Sequence, residues 1–136
     1  MSWVVDTCIL IDIARADPDF AEASSRLLRR RLREGLVICP ITYVEMGPAF
    51  AGSRDLQDEF LAGVGVDWPQ AWSWTDTLAA YEAWHAHIGR RREQATPKRP
   101  IADVLIGAFA ARFEGLLTRN SADFRKLFPR LRLNEP

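Results

Sequence analysis

WVVDTCILIDIA, residues 3–14, is apolar except at Asp6, Thr7 and Asp12. Trp3-Val4-Val5 reads as a short buried strand that Asp6-Thr7 ends. Ile9, Leu10 and Ile13 then fall at helical spacing. A strand that runs straight into a helix is the opening unit of an α/β fold. Asp6 stands at the junction, where a small protein builds its core, and an ionised carboxylate buried there without a partner carries a penalty of several kcal/mol.

The same pattern recurs along the chain. Asp17-Pro18 reads as an N-cap with proline at the first helical position, opening a helix from about Pro18 to Glu34 that Gly35 closes. On that helix Arg26, Arg29, Arg30 and Arg33 form a basic face, with Leu27, Leu28 and Leu32 expected inward. Leu36 to Cys39 is a second strand, ended by Pro40. A helical stretch from Thr42 to Phe50 is broken by Gly47-Pro48. Asp55–Leu61 is helical, with a strand-like piece near Val64-Gly65-Val66, and Thr75–Arg91 is an amphipathic helix. Glu93–Pro100 is a polar, proline-bearing loop. Ile101–Phe113 is an apolar helix, Leu116–Thr118 a strand, Ser121–Leu127 a helix, and Leu131–Leu133 a last strand. Short strands alternating with helices predict a mostly parallel sheet. Ligands of such sheets bind beyond the carboxyl ends of the strands.

Composition sets the outer bounds. The 136 residues suit a single domain spanning 1–136, 48% are hydrophobic, and 18 basic residues balance 18 acidic ones. Neutral overall charge leaves any nucleic-acid partner to a local basic surface. The N-terminus does not read as a signal peptide, since acidic residues interrupt its apolar run. No stretch approaches the length of a membrane span. Cys8 and Cys39 lack disulfide or zinc spacing and are expected reduced, in the cytoplasm.

Each acidic residue near a strand exit has a bland explanation. Asp6 fits a helix cap as well as an active site. Thr42-x-x-Glu45, taken alone, matches a capping box better. Asp103 stands in the first turn of an apolar helix, where the helix dipole favours a carboxylate. Asn120-x-x-Asp123 again has cap spacing. Together they make a different pattern: four carboxylates at strand exits or helix starts, in a fold whose strand exits converge. If they meet, either their pKa values rise or a cation binds among them. Magnesium, or manganese in its place, suits oxygen ligands and leaves positions open for water and phosphate oxygens.

VVDTCILID, ITYVEM, IADVLIGAFA and LLTRNSADF, in this order, resemble the four motifs of PIN-domain ribonucleases, and in particular VapC-type toxins of bacterial toxin–antitoxin pairs. The resemblance implies a three-layer α/β/α sandwich on a central, mostly parallel sheet. It places Asp6, Glu45, Asp103 and Asp123 in an acidic site for Mg2+ or Mn2+. Thr7 would line that site and Asn120 would support its last carboxylate. Unlike many VapC-like chains, this one has Gly47-Pro48 directly after the Glu45 motif.

The implied function is metal-dependent endoribonuclease activity by a cytoplasmic toxin. Its partners would be an RNA substrate, a cognate VapB-like antitoxin and a second copy in a homodimer. In metal-assisted hydrolysis of a phosphodiester the ion binds the phosphate and lowers the pKa of a bound water, so His85 and His87 are left a structural or solvated role. Arg90, Arg91, Arg92, Lys98 and Arg99 lead toward Asp103 and, with Arg119 and Arg125, are the candidates to hold the RNA backbone. The five tryptophans fit core packing first and an interface second.

Three other readings compete. A haloacid-dehalogenase-like phosphatase also starts with an aspartate after a buried strand, but it needs a second aspartate where Cys8 stands. A non-catalytic PIN-like RNA-binding module would not require all four acidic positions to be filled. A housekeeping PIN-fold nuclease of RNA maturation has the same motifs as a toxin.

Overall fold

The computed structural model describes residues 1–94 and 101–136, with the side chains of residues 90–94 outside that description. Five strands form one sheet: β1 (Trp3–Val5), β2 (Leu36–Val37), β3 (Val66–Asp67), β4 (Gly115–Leu117) and β5 (Leu133–Asn134). Their order is β3-β2-β1-β4-β5 and every pairing is parallel. The helices are α1 (Thr7–Ala14), α2 (Ala21–Arg31), α3 (Pro40–Glu45), α4 (Arg54–Gly63), α5 (Trp74–Gln94), α6 (Ile101–Ala110) and α7 (Ser121–Leu127).

Central β1 is buried on both faces. Successive side chains of a strand point to opposite sides, and β1 divides the core accordingly. Trp3 and Val5 pack with Ile9, Leu10, Leu27, Leu28 and Leu61, from α1, α2 and α4. Val4 packs with Ile106, Phe109, Leu116 and Phe124, from α6, β4 and α7. Val104, Ala108 and Leu127 bind α5 to that second layer through Ala80 and Ala83. The predicted three-layer α/β/α arrangement is therefore present, and its sheet is wholly parallel.

Asp76, at the start of α5, pairs with Arg112, just beyond the end of α6 (2.6 Å from Nε to Oδ1, 2.9 Å from Nη2 to Oδ2). The two helices therefore lie antiparallel. Because α6 turns directly into β4, its first turn lies at the carboxyl edge of the sheet, and so does the far end of α5.

Several local expectations change. Asp17 does not cap a helix starting at Pro18. Its Oδ1 accepts the amides of Asp19 and Phe20 (2.8 and 3.0 Å), and this turn delays α2 to Ala21. Leu32, expected inward, is 49% exposed, because α2 gives way to a 3-10 turn over Leu32–Glu34. Pro40 opens α3 rather than ending a strand, with Cys39 as the N-cap, so β2 stops at Val37. β4 spans Gly115–Leu117 rather than Leu116–Thr118, α6 ends at Ala110, and α5 continues through Glu93 to Gln94. Trp3 is buried and Trp72 stacks on Phe109 (centroids 6.3 Å apart), whereas Trp74 is 73% exposed.

Candidate metal centre at the carboxyl edge

Asp6 ends β1 and caps α1, so the bland reading of it holds, but only for one oxygen. Its Oδ1 accepts the Thr7 amide at 2.8 Å. Its Oδ2 accepts the Thr118 hydroxyl at 2.7 Å and the Cys8 thiol at 3.3 Å. Thr118 is fully buried at the exit of β4, and its Oγ1 also accepts the Asn120 amide at 3.0 Å. With that amide donating to it, the hydroxyl proton is left for Asp6.

Asp6 is only 4% exposed. Burial pushes its carboxyl above the ordinary value; the hydrogen bonds from Thr118, Cys8 and the Thr7 amide oppose that, and the nearby Glu45 charge adds to it. The fold thus holds a carboxylate in a place that disfavours its charge.

Glu45 ends α3 on the exposed side of this pocket. Its Oε1 accepts the Thr7 hydroxyl at 2.7 Å, and Thr7 Oγ1 also lies 3.0 Å from Thr42 Oγ1. The capping-box explanation of Thr42 and Glu45 therefore fails. Both side chains turn to Thr7, and Cys39 rather than Thr42 precedes the first helical residue. Thr7 sits between the two carboxylates, one through its amide and one through its hydroxyl.

Asp103 is half-buried in the first turn of α6, and Asp123 is exposed in the first turn of α7. Both turns open at the carboxyl edge, α6 because it feeds β4 and α7 because it follows β4. Asn120 is the residue before α7 but makes no side-chain cap; its amide serves Thr118 instead. Asp6 and Glu45 are thus joined through Thr7, while Asp103 and Asp123 share their edge of the sheet. Among the described residues, no three His, Cys, Asp or Glu side chains are grouped closely enough to ligate one metal ion.

The basic candidates divide. Lys98 and Arg99, and the side chains of Arg90, Arg91 and Arg92, lie outside the described residues; the helix carrying the three arginines ends at the carboxyl edge. Arg125 is exposed on α7. Arg119 is committed elsewhere. Its Nε donates to Asp12 Oδ2 at 2.7 Å and its Nη2 to Oδ1 at 3.3 Å, with the guanidinium 4.4 Å from the centre of the Phe20 ring. His85 is exposed, and His87 is buried beside Trp84.

Sequence reasoning missed Thr118, Cys8 and Asp12. Thr118 was legible only as a strand end and Cys8 only as a buried thiol. Asp12 was visible as a charge in an apolar run, but its partner lies more than a hundred residues away.

Magnesium usually takes one or two carboxylates and keeps several waters. A buried carboxylate with a disfavoured charge, facing a second carboxylate across one threonine, fits that donor set. Asp103 and Asp123 lie in helix first turns that open on the same edge of the sheet.

A chain in the crystal structure of VapBC2 from Rickettsia felis bound to a DNA fragment from their promoter is similar in structure. The superposition has a TM-score of 0.69 and covers 99% of this chain and 98% of that one, at 20% sequence identity. No protein-family model and no curated protein matches the chain. The likeness shows the fold: this chain shares with that one an α/β, PIN-like arrangement. Among the described residues no helix is long and apolar enough to cross a membrane.

Proposed function

We propose that this protein is a metal-dependent endoribonuclease and the toxin of a toxin–antitoxin pair. One observation carries the reading: Asp6 is buried at the carboxyl edge, held by three donors and facing Glu45 across Thr7. A helix cap alone needs one acceptor; a second oxygen with its own fully buried donor suits an orienting role. The likeness to a chain of the VapBC2 complex supports the toxin assignment and a VapB-like antitoxin as partner; the homodimer rests on the motif resemblance alone.

Asp6 and Glu45 would hold Mg2+ or Mn2+, with Asp103 and Asp123 completing the site directly or through water. When bound, the ion supplies a water of lowered pKa and offsets charge on the phosphate. Thr118 and Cys8 orient Asp6, while Thr7 couples Asp6 to Glu45. Glu45 and Asp123, the more exposed carboxylates, accept the proton of the attacking water or orient it. Arg90, Arg91, Arg92, Lys98, Arg99 and Arg125 would hold the RNA backbone near this edge. Single-stranded or looped RNA is the natural substrate, because its bases can be splayed and its backbone bent into a cleft.

The test is cleavage of total RNA by the purified protein with Mg2+ or Mn2+, followed by mapping of the new ends. Cleavage lost on chelation and in Asp6→Asn and Asp103→Asn, with the fold retained, supports the reading. Normal cleavage by either variant would remove that residue from the mechanism. Metal-dependent RNA cleavage without growth arrest on induction would instead favour a housekeeping nuclease of the same fold. RNA binding without any cleavage would favour a non-catalytic module.

A further inference from the structure

Asp12 is 5% exposed on α1, six residues beyond Asp6, and its charge plays no part in the pocket just described. Its partner is Arg119, the residue directly after Thr118. Two consecutive residues at the exit of β4 are therefore tied to one helix. Thr118 bonds Asp6, which caps the start of α1, and Arg119 bonds Asp12, six residues on. Six residues of helix rise about 9 Å, so the two ties hold the β4 exit at separated points and oppose its rotation. Phe20 closes the outer side of the Arg119 guanidinium. The next amide, that of Asn120, donates back to Thr118.

We propose that Asp12 and Arg119 are positioning residues: their ion pair holds Thr118 in register with Asp6 and so sets the orientation of the Asp6 carboxylate. This rests on the reading of Asp6 as a metal ligand only for its functional consequence; the positioning itself is a property of the metal-free protein. Arginine suits the task better than lysine, because its planar fork meets both carboxylate oxygens and fixes direction as well as distance. Groups that orient a ligand commonly change metal affinity by about 10–100-fold when removed. Arg119 thus acts through Thr118 and is a structural neighbour of the site.

The experiment uses the whole chain with Arg119→Ala, Arg119→Lys and Asp12→Asn, and with Arg112→Ala as a control that breaks an ion pair at the opposite edge. Amide hydrogen exchange is read by NMR without metal, and Mn2+ affinity by calorimetry. In Arg119→Ala the Asn120 and Thr7 amides should exchange at least ~10-fold faster, and Mn2+ should bind ~10-fold or more weakly. Arg119→Lys should recover part of both effects, and Arg112→Ala should produce neither despite lowering the melting temperature. Should Arg119→Ala not fold, Asp12→Asn carries the same expectation.

Wild-type exchange at Asn120 and Thr7 in Arg119→Ala, or in Asp12→Asn if that variant is the one that folds, would overturn the positioning role, even if Asp6→Asn abolishes Mn2+ binding. Faster exchange at those two amides in a protein whose wild type binds no Mn2+ would uphold the positioning role and sink the metal reading instead.

Discussion

Replacing Asp6 with asparagine tests the site by two signatures, one of the buried carboxyl and one of the metal. The first is pH. Asp6 binds its proton more tightly in the folded state than in the unfolded one, because burial raises its pKa from 3.8. Its contribution to stability is fully present below pH 3.8 and is lost as pH rises through the raised folded value. In metal-free solution that loss should disappear in Asp6→Asn.

The second signature is metal. At a hundredfold excess over Kd, binding to the folded state adds about 2.7 kcal/mol. For 136 residues the unfolding entropy near 60 °C is about 290 cal/mol/K, so each kcal/mol moves the melting temperature by about 3.5 °C. Saturating Mg2+ or Mn2+ should then raise the wild-type melting temperature by about 9 °C and leave Asp6→Asn where it was. The absolute melting temperature of the variant is a poor readout. Relief of the buried charge is offset by the Thr118 hydroxyl, whose proton faces an amide nitrogen in place of Oδ2, at a cost of about 1–3 kcal/mol. Differential scanning fluorimetry across pH, with metal and with chelator, measures both signatures. A wild-type melting temperature unmoved by saturating metal, together with equal pH dependence in the two proteins, would refute the reasoning and leave Asp6 as a cap.

Asp76→Ala removes a carboxylate with no exposed side-chain surface from Arg112, and with it the acceptor of the Ser73 amide. The loss should be about 2–4 kcal/mol by urea titration, below that of a fully buried pair because Arg112 is 36% exposed. Burial alone would raise the Asp76 pKa, but the bonds from Arg112 and Ser73 hold it below 3.8. Its contribution should therefore persist above pH 3.8 and fade as pH falls below that value, so the urea midpoints of wild type and Asp76→Ala should draw together at low pH. In Gly107→Ala the new methyl group would run into the Phe128 ring. That overpacking should cost about 1–3 kcal/mol, a fall of about 3.5–10 °C in melting temperature. Burial pushes the Cys8 thiol up to about 12 and the Cys39 thiol up to about 11. Neither should react with Ellman's reagent at pH 8 until the protein unfolds, although Cys8 is only half-buried.

Local pattern by itself determined the strand–helix alternation, the parallel sheet and the burial of Trp3-Val4-Val5, because hydrophobic periodicity and chain breakers act over a few residues. It also placed Asp6, Glu45 and Asp123 at one edge, since strand exits in a parallel sheet share a side, and Asp103 with them, at the start of the helix that feeds β4. Local pattern misled at Asp17, where an aspartate turn and a helix cap look alike in sequence, and at Thr42-x-x-Glu45, where cap spacing concealed two side chains turned toward Thr7. Only the tertiary structure decided the partners. Thr118 reaches Asp6 across 112 residues and Arg119 reaches Asp12 across 107. A buried charge reveals in sequence that it needs a partner, but which one it finds depends on how β4 is laid beside β1, and no spacing within either segment encodes that.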